Sequence, residues 1–201
     1  MTPTVSPLFH RSLSVPEADE RAVLRYARGD DSPETLKLLR RMKKEASGAF
    51  SYQVIWRILS LRREGEALEL GAFSVFSHSL SEAFAECDRV ILFAATVGPQ
   101  IDRLIRRYSR LSPSKAAMLQ ALGTERAEAL CDAFCREMES DYGPLCPRFS
   151  PGYGDLPLTL QRAIFDVLEP SRIGIGLTES LIMTPSKSVT AFVGIPRKKA
   201  E

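Results

Sequence analysis

The eight residues Val90-Ile91-Leu92-Phe93-Ala94-Ala95-Thr96-Val97, preceded by Arg89, form a run of strand length with almost no polar interruption. A half-buried strand alternates apolar and polar positions. An unbroken run instead predicts a central strand covered on both faces. It falls far short of the roughly 20 apolar residues that span a bilayer, and no other stretch comes closer. The rest of the chain must therefore supply cover on two sides. Its 201 residues suit one domain, and an apolar share of 44% beside 26% charged residues is enough for a real core.

Charge excludes little but points nowhere. Lys and Arg number 27 against 25 for Asp and Glu, a net +2 that gives no global pull toward nucleic acid or an anionic membrane. Basic clusters at Arg40-Arg41-Met42-Lys43-Lys44, from Arg103 to Arg110, and at Arg197-Lys198-Lys199 read as solvated helix faces or tails. The start of the chain lacks the charged and apolar segments of a secretory signal, so a cytoplasmic protein is expected. Cys87, Cys131, Cys135 and Cys146 contain no C-x-x-C pair and are expected as free thiols, with Cys131 and Cys135 as small buried helix residues. No metal site is expected.

Residues 1–16, with three prolines and little periodicity, are expected as a flexible leader, and 197–201 as a basic tail; residues 17–196 form the domain. Helical composition from Glu17 to Arg28 ends at Gly29, a candidate C-cap. Ser32-Pro33-Glu34 opens a second helix: a capping hydroxyl, a proline suited to the first turn, and an acid at the positive dipole end. Strands are expected within 51–61 and 68–76, a short helix from Ser79 or Ser81, and a helix after Gly98-Pro99. Ser112-Pro113-Ser114 begins the longest helix, running to about Tyr142. Residues 143–157 then hold four prolines and three glycines in a loop of the length that usually carries function. A helix over 158–168 and two strands around Met183-Thr184-Pro185-Ser186 complete the chain. Helices and strands mix without regular alternation, so the fold class is α+β.

The longest helix has two unlike faces. Leu119, Gly123, Ala127, Leu130, Phe134 and Met138 make an ordinary core stripe. About 100° round lie Ala117, Ala121, Thr124, Glu128, Cys131 and Cys135, small residues around one carboxylate. That face suits either a cationic guest near Glu128 or plain helix packing with Glu128 paired to an Arg. In the loop, Arg148-Phe149-Ser150-Pro151-Gly152-Tyr153-Gly154-Asp155 combines a guanidinium fork suited to a carboxylate, a ring face suited to a base or a cation, and prolines that limit the entropy lost on binding. By chemistry alone it is either such a cradle or a rigid structural turn.

Arg148-Phe149-Ser150-Pro151-Gly152-Tyr153 resembles the Arg-x-x-Pro-Gly-Tyr motif of the activation domain of cobalamin-dependent methionine synthase. Leu177-Thr178-Glu179-Ser180, then Met183, Pro185 and Ser188-Val189, is similar to that family's Leu-Thr-Glu-Ser-x-x-Met-x-Pro-x-x-Ser-Val. The Thr96-Val97-Gly98-Pro99 turn and the long helix also look like its stand-alone members. The resemblance implies a helmet-like single domain with a twisted antiparallel sheet, binding S-adenosylmethionine in an inner groove. Carried over by position, Arg148, Phe149, Ser150, Pro151, Gly152 and Tyr153 would contact the ligand, with Glu128 toward its positive end. Three departures stand out: Gly154 replaces the usual proline; Tyr142 stands where an acid is expected; and the family's further Tyr would lie beyond Glu201.

The implied role is a reactivation subunit, an accessory rather than an enzyme alone. S-adenosylmethionine and one electron from a flavodoxin-like donor would restore methylcobalamin on a cobalamin-binding methionine synthase subunit. No general acid, base or nucleophile is needed, since the leaving group is a neutral thioether; no catalytic residue is assigned. Two other readings stay open: a non-catalytic partner of a corrinoid protein, and a reactivator of another corrinoid methyltransferase. A conventional methyltransferase has no support, as no Gly-rich strand-to-helix turn is present.

Overall fold

In the computed structural model, residues 4–197 are described. Four antiparallel strands, β1 (Phe9–Ser12), β2 (Gln53–Ser60), β6 (Cys87–Thr96) and β9 (Ser188–Pro196), form the main sheet in that spatial order. The apolar run is the body of β6, flanked by β2 and β9.

Alternation of side chains explains why β6 needs no polar positions. Ile91, Phe93 and Ala95 enter one core with Val54, Trp56 and Val193. Helices α1 (Glu20–Ala27), α2 (Pro33–Glu45), α4 (Gln100–Leu111) and α5 (Pro113–Tyr142) cover that face. Val90, Leu92 and Ala94 enter a second core with Ile55, Leu59 and Phe192. That side is closed by the small sheet β3 (Arg62–Glu64), β4 (Ala67–Glu69), β5 (Ser74–Phe76), by α3 (His78–Ala83) and by α6 (Gln161–Leu168). A β7 (Gly176–Leu177) and β8 (Met183–Thr184) hairpin precedes β9. The result is α+β, with one sheet between two unlike layers.

The helix starts follow their chemistry. Ser32 accepts from the Thr35 amide at 3.3 Å, with Pro33 opening α2. α5 runs from Pro113 through Tyr142, thirty residues, and buries the stripe Leu119, Gly123, Ala127, Leu130, Phe134 and Met138. At the end of α1, Arg28 rather than Gly29 takes the left-handed conformation, φ 52°, while the Gly29 amide reaches back to the Leu24 carbonyl at 3.0 Å. Ser77, not Ser79 or Ser81, caps α3.

The expected leader is corrected. Among residues 1–16, those from 4 onward are described, and they are built into the sheet. Phe9 to Ser12 pair with Trp56 to Gln53, Ser6 bonds the Ile58 carbonyl at 2.9 Å, and the Phe9 ring stacks on Trp56 at 5.5 Å. The four β1 residues are all exposed, so they carry no hydrophobic periodicity to read. Prolines are tolerated on such an edge because one side needs no ladder donor. Of the expected basic tail, only Arg197 lies within the described residues; its amide bonds the Glu86 carbonyl. No helix among the described residues is long and apolar enough to cross a membrane.

Candidate functional site

The segment 145–149 runs beside the outer edge of β9. The Cys146 amide donates to Gly194 at 3.0 Å, and Phe149 and Phe192 exchange both backbone hydrogen bonds, at 2.9 and 2.8 Å. This pairing turns Arg148 toward α5, where Glu128 and Asp132 sit one turn apart on the same face. The guanidinium bonds Glu128 at 2.8 Å and also bonds Asp132. Half-burial works against the Arg148 charge, yet the hydrogen bond to Asp132 and the surrounding groups hold its pKa above the ordinary value.

Around this pair lies an open groove of about 860 Å³. Its walls are the α5 face with Glu128, Asp132, Cys135 and Glu139, the segment from Leu145 to Ser150, Tyr153, Ala83 at the end of α3, and Val189 of β9. Three carboxylates face one guanidinium, so the groove suits a guest with excess positive charge. It is large enough for a small-molecule ligand.

The turn that follows has the pattern of a type II turn: Pro151 second, Gly152 third at φ +89°, and the Tyr153 amide closing onto the Ser150 carbonyl at 3.1 Å. It leaves the Tyr153 ring 69% exposed, edge-on to Phe149 at 5.5 Å. Beyond it, Gly154 at φ +56° presses on α3; a Cβ there would stand 2.9 Å from the Ser79 hydroxyl. The Asp155 carboxylate then accepts from the Ser77 hydroxyl at 2.5 Å and from the His78 and Ser79 amides at 2.7 and 3.2 Å. Those bonds, the Ser77 hydroxyl foremost, draw its pKa down to about 2. One carboxylate thus latches the loop to α3.

Of the seven residues singled out in the sequence, Glu128, Arg148, Phe149, Ser150 and Tyr153 line the groove. Pro151 and Gly152 do not; they shape the turn that presents Tyr153. Glu128 does pair with an Arg, but that Arg is Arg148 of the motif itself, and the face around Glu128 opens onto the groove instead of packing on another helix. Asp132 and Glu139 are lining residues the sequence reading does not name, although stepping four residues on from Glu128 finds Asp132; Cys135 belongs to the small-residue face read together with Glu128. Nothing local signals Ala83, or the Asp155 latch, whose partners lie more than 70 residues away. The second motif is not part of this wall apart from Val189. Its Lys187 lies along α5, where Nζ bonds the Thr124 hydroxyl at 3.0 Å and desolvation lowers its pKa.

Comparison with known proteins places this geometry. A search of curated protein sequences finds no match. Among solved structures, the crystal structure of the MetH reactivation domain bound to AdoHcy superposes with a TM-score of 0.67 at 17% identity. The likeness covers 97% of this chain and 80% of that one, and it establishes a shared fold. Residues 53–199 match the family described as the vitamin B12 dependent methionine synthase activation domain. That span holds β2, β6, α5, the groove and both motifs, and the chain belongs to this family of methionine synthase activation domains.

Proposed function

We propose that this chain binds S-adenosylmethionine in the groove between α5 and the Arg148–Tyr153 loop, and serves as a stand-alone reactivation subunit for a cobalamin-binding methionine synthase partner. The observation that carries the reading is the charge pattern: Glu128, Asp132, Glu139 and Arg148 line one groove wide enough for the ligand, and after Arg148 pairs with Glu128 and Asp132 the lining keeps an excess of negative charge. S-adenosylmethionine has two positive centres, an ammonium and a sulfonium, against one carboxylate. The groove offers the complement. The solved domain of like fold was obtained with AdoHcy, which is what S-adenosylmethionine becomes on losing its methyl group.

When bound, S-adenosylmethionine supplies a methyl group which, with one electron from a flavodoxin-like donor, converts cob(II)alamin on the partner to methylcobalamin. The chain's own residues position and shield. Arg148 holds the ligand carboxylate with donors left over from its two carboxylate partners, Glu128 and Asp132 balance the positive centres, and the exposed Tyr153 ring covers a flat or cationic part. Holding the reactive carbon in line with its acceptor and excluding water are the whole contribution, so no residue needs to move a proton.

Titration calorimetry with S-adenosylmethionine tests this. Wild type should bind, and Arg148→Ala should bind about 10- to 100-fold more weakly, the usual value of one or two charge-assisted hydrogen bonds. A second reading, a corrinoid-protein partner that binds no such ligand, draws on Arg148 being already engaged by Glu128 and Asp132. Absence of heat from the wild type would decide for it. Mixing the chain with its cob(II)alamin partner, a reductant and methyl-labelled S-adenosylmethionine should place label on cobalt only when the chain is present.

A further inference from the structure

Two thiols distant in sequence meet beside the groove and take no part in the ligand reading. The Cys87 and Cys146 sulfurs are 3.4 Å apart. Cys87 is fully buried at the start of β6, whereas Cys146 is partly exposed and lines the groove two residues before Arg148. Three features bring them together. The first is the end of the β6–β9 ladder, where Cys87 faces Pro196. The second is the hydrogen bond from the Cys146 amide to the Gly194 carbonyl. The third is the missing side chain at Gly194: a Cβ there would stand 2.6 Å from the Cys87 sulfur and 3.2 Å from the Cys146 Cβ. A glycine at this point of β9 leaves the room both side chains fill.

We propose that Cys146 is a thiol modification site at the lip of the groove, and that Cys87 resolves the modified form into an intramolecular disulfide strapping the Arg148 segment to β6. The oxidant is a low-molecular-weight disulfide such as oxidised glutathione. The Cys146 thiolate attacks one of its sulfurs; that S–S bond breaks, a mixed disulfide forms, and one small thiol leaves with the proton. The Cys87 thiolate then attacks the Cys146 sulfur and expels the second small thiol. Overall two protein thiols lose two electrons and two protons, and the reagent disulfide becomes two thiols.

The order of events follows from exposure. Reactive thiols are those solvent reaches, which selects Cys146. Burial first, and the neighbouring Cys146 thiol second, push the Cys87 thiol well above its ordinary value, so Cys87 is poorly suited to make the first attack. For the second attack proximity offsets this: well-oriented neighbours reach effective concentrations of about 10⁵ M or more. Bond formation needs the sulfurs at about 2.05 Å. Cys87 is fixed in the ladder, so the movement falls on Cys146 and on the chain leading to Arg148. The proposal stands on the thiol pair alone and holds whether or not the groove takes S-adenosylmethionine.

The test incubates the full chain with oxidised glutathione at pH 8, quenches with acid, unfolds it in denaturant with an alkylating agent to cap the remaining thiols, and reads intact mass and peptide maps. The expected product lacks two hydrogens, carries a Cys87–Cys146 cross-link with Cys131 and Cys135 alkylated, and reverts with dithiothreitol. Cys87→Ser should stop at a glutathionyl adduct on Cys146, and Cys146→Ser should give neither product. If Cys87→Ser does not fold, the wild-type time course must still show the Cys146 adduct rising and decaying before the cross-link. Unmodified Cys146 in the wild type, an adduct that persists there unresolved, or a cross-link between other cysteines each overturns the proposal.

Discussion

At the scale of single residues, the strongest constraint outside the groove is a pair that local sequence does not reveal. Arg126 and Glu125, adjacent on α5, form two hydrogen bonds at 2.6 and 2.7 Å with side chains only 5% and 7% exposed. Glu125 also accepts from the Asp19 amide, and Arg126 donates to the Pro16 carbonyl. Removing one partner leaves a buried charge uncompensated. Glu125→Ala should therefore cost about 3–5 kcal/mol in chemical denaturation. Neighbours along a helix point in different directions, so this pairing could not be read from spacing; it exists because residues 16–19 close over both. Asp155 makes the opposite kind of prediction. Its folded pKa is depressed to about 2 from 3.8, so its contribution is complete above about pH 4 and fades as pH falls toward 2. The stability gap between wild type and Asp155→Asn should be constant from pH 5 to 7 and shrink only on the acid side, as measured by thermal melts across pH.

Whole elements were legible to different degrees, and the reason is burial. β6, α2 and α5 announce themselves because their apolar or capping residues do the structural work: unbroken burial from Val90 to Thr96 for β6, the Ser32 cap for α2, Pro113 in the first turn and the buried stripe from Leu119 to Met138 for α5. β1 announces nothing, because none of its four residues is buried and its backbone pairing leaves no trace in composition. β3 was hidden likewise, as a short charged Arg62-Arg63-Glu64 strand. A chain starting at Ser14 keeps the Pro16 carbonyl over Arg126 and should show the value of β1 directly. Losing four cross-strand pairs and the Phe9–Trp56 stack should lower stability by about 2–4 kcal/mol, against no change if residues 1–13 were disposable. Chemical denaturation of the two lengths checks this. The candidate site divides in the same way: its loop half was visible through the motif, and its helix half only through Glu128. Asp132 looks like an ordinary solvated helix residue until Arg148 is brought against it, and Glu139 until the groove is assembled beside it.

For the molecule as a whole, the groove sits where the helical layer meets the sheet's edge, and a ligand there would tie α5 to the 145–153 segment. S-adenosylmethionine at a hundredfold excess over its dissociation constant should stabilise the fold by about 2.7 kcal/mol. For a chain of this size that is a rise of about 5–10 °C in Tm by scanning calorimetry. An unchanged melt at that excess would count against binding to the folded state. The fold class could be inferred before the structure because the covered strand demanded two layers. Which elements met at the groove could not, since that depends on the path of β9.

That path has one more consequence. An unpaired strand border presents a row of free amides and carbonyls on which a second molecule can polymerise. Along β9 that border is occupied by Cys146 and Phe149, the residues flanking Arg148. The Arg148 loop thus doubles as the sheet's hem. Variants that loosen it should self-associate, as measured by light scattering, and if the proposed ligand site is real that self-association will have to be separated from any loss of binding.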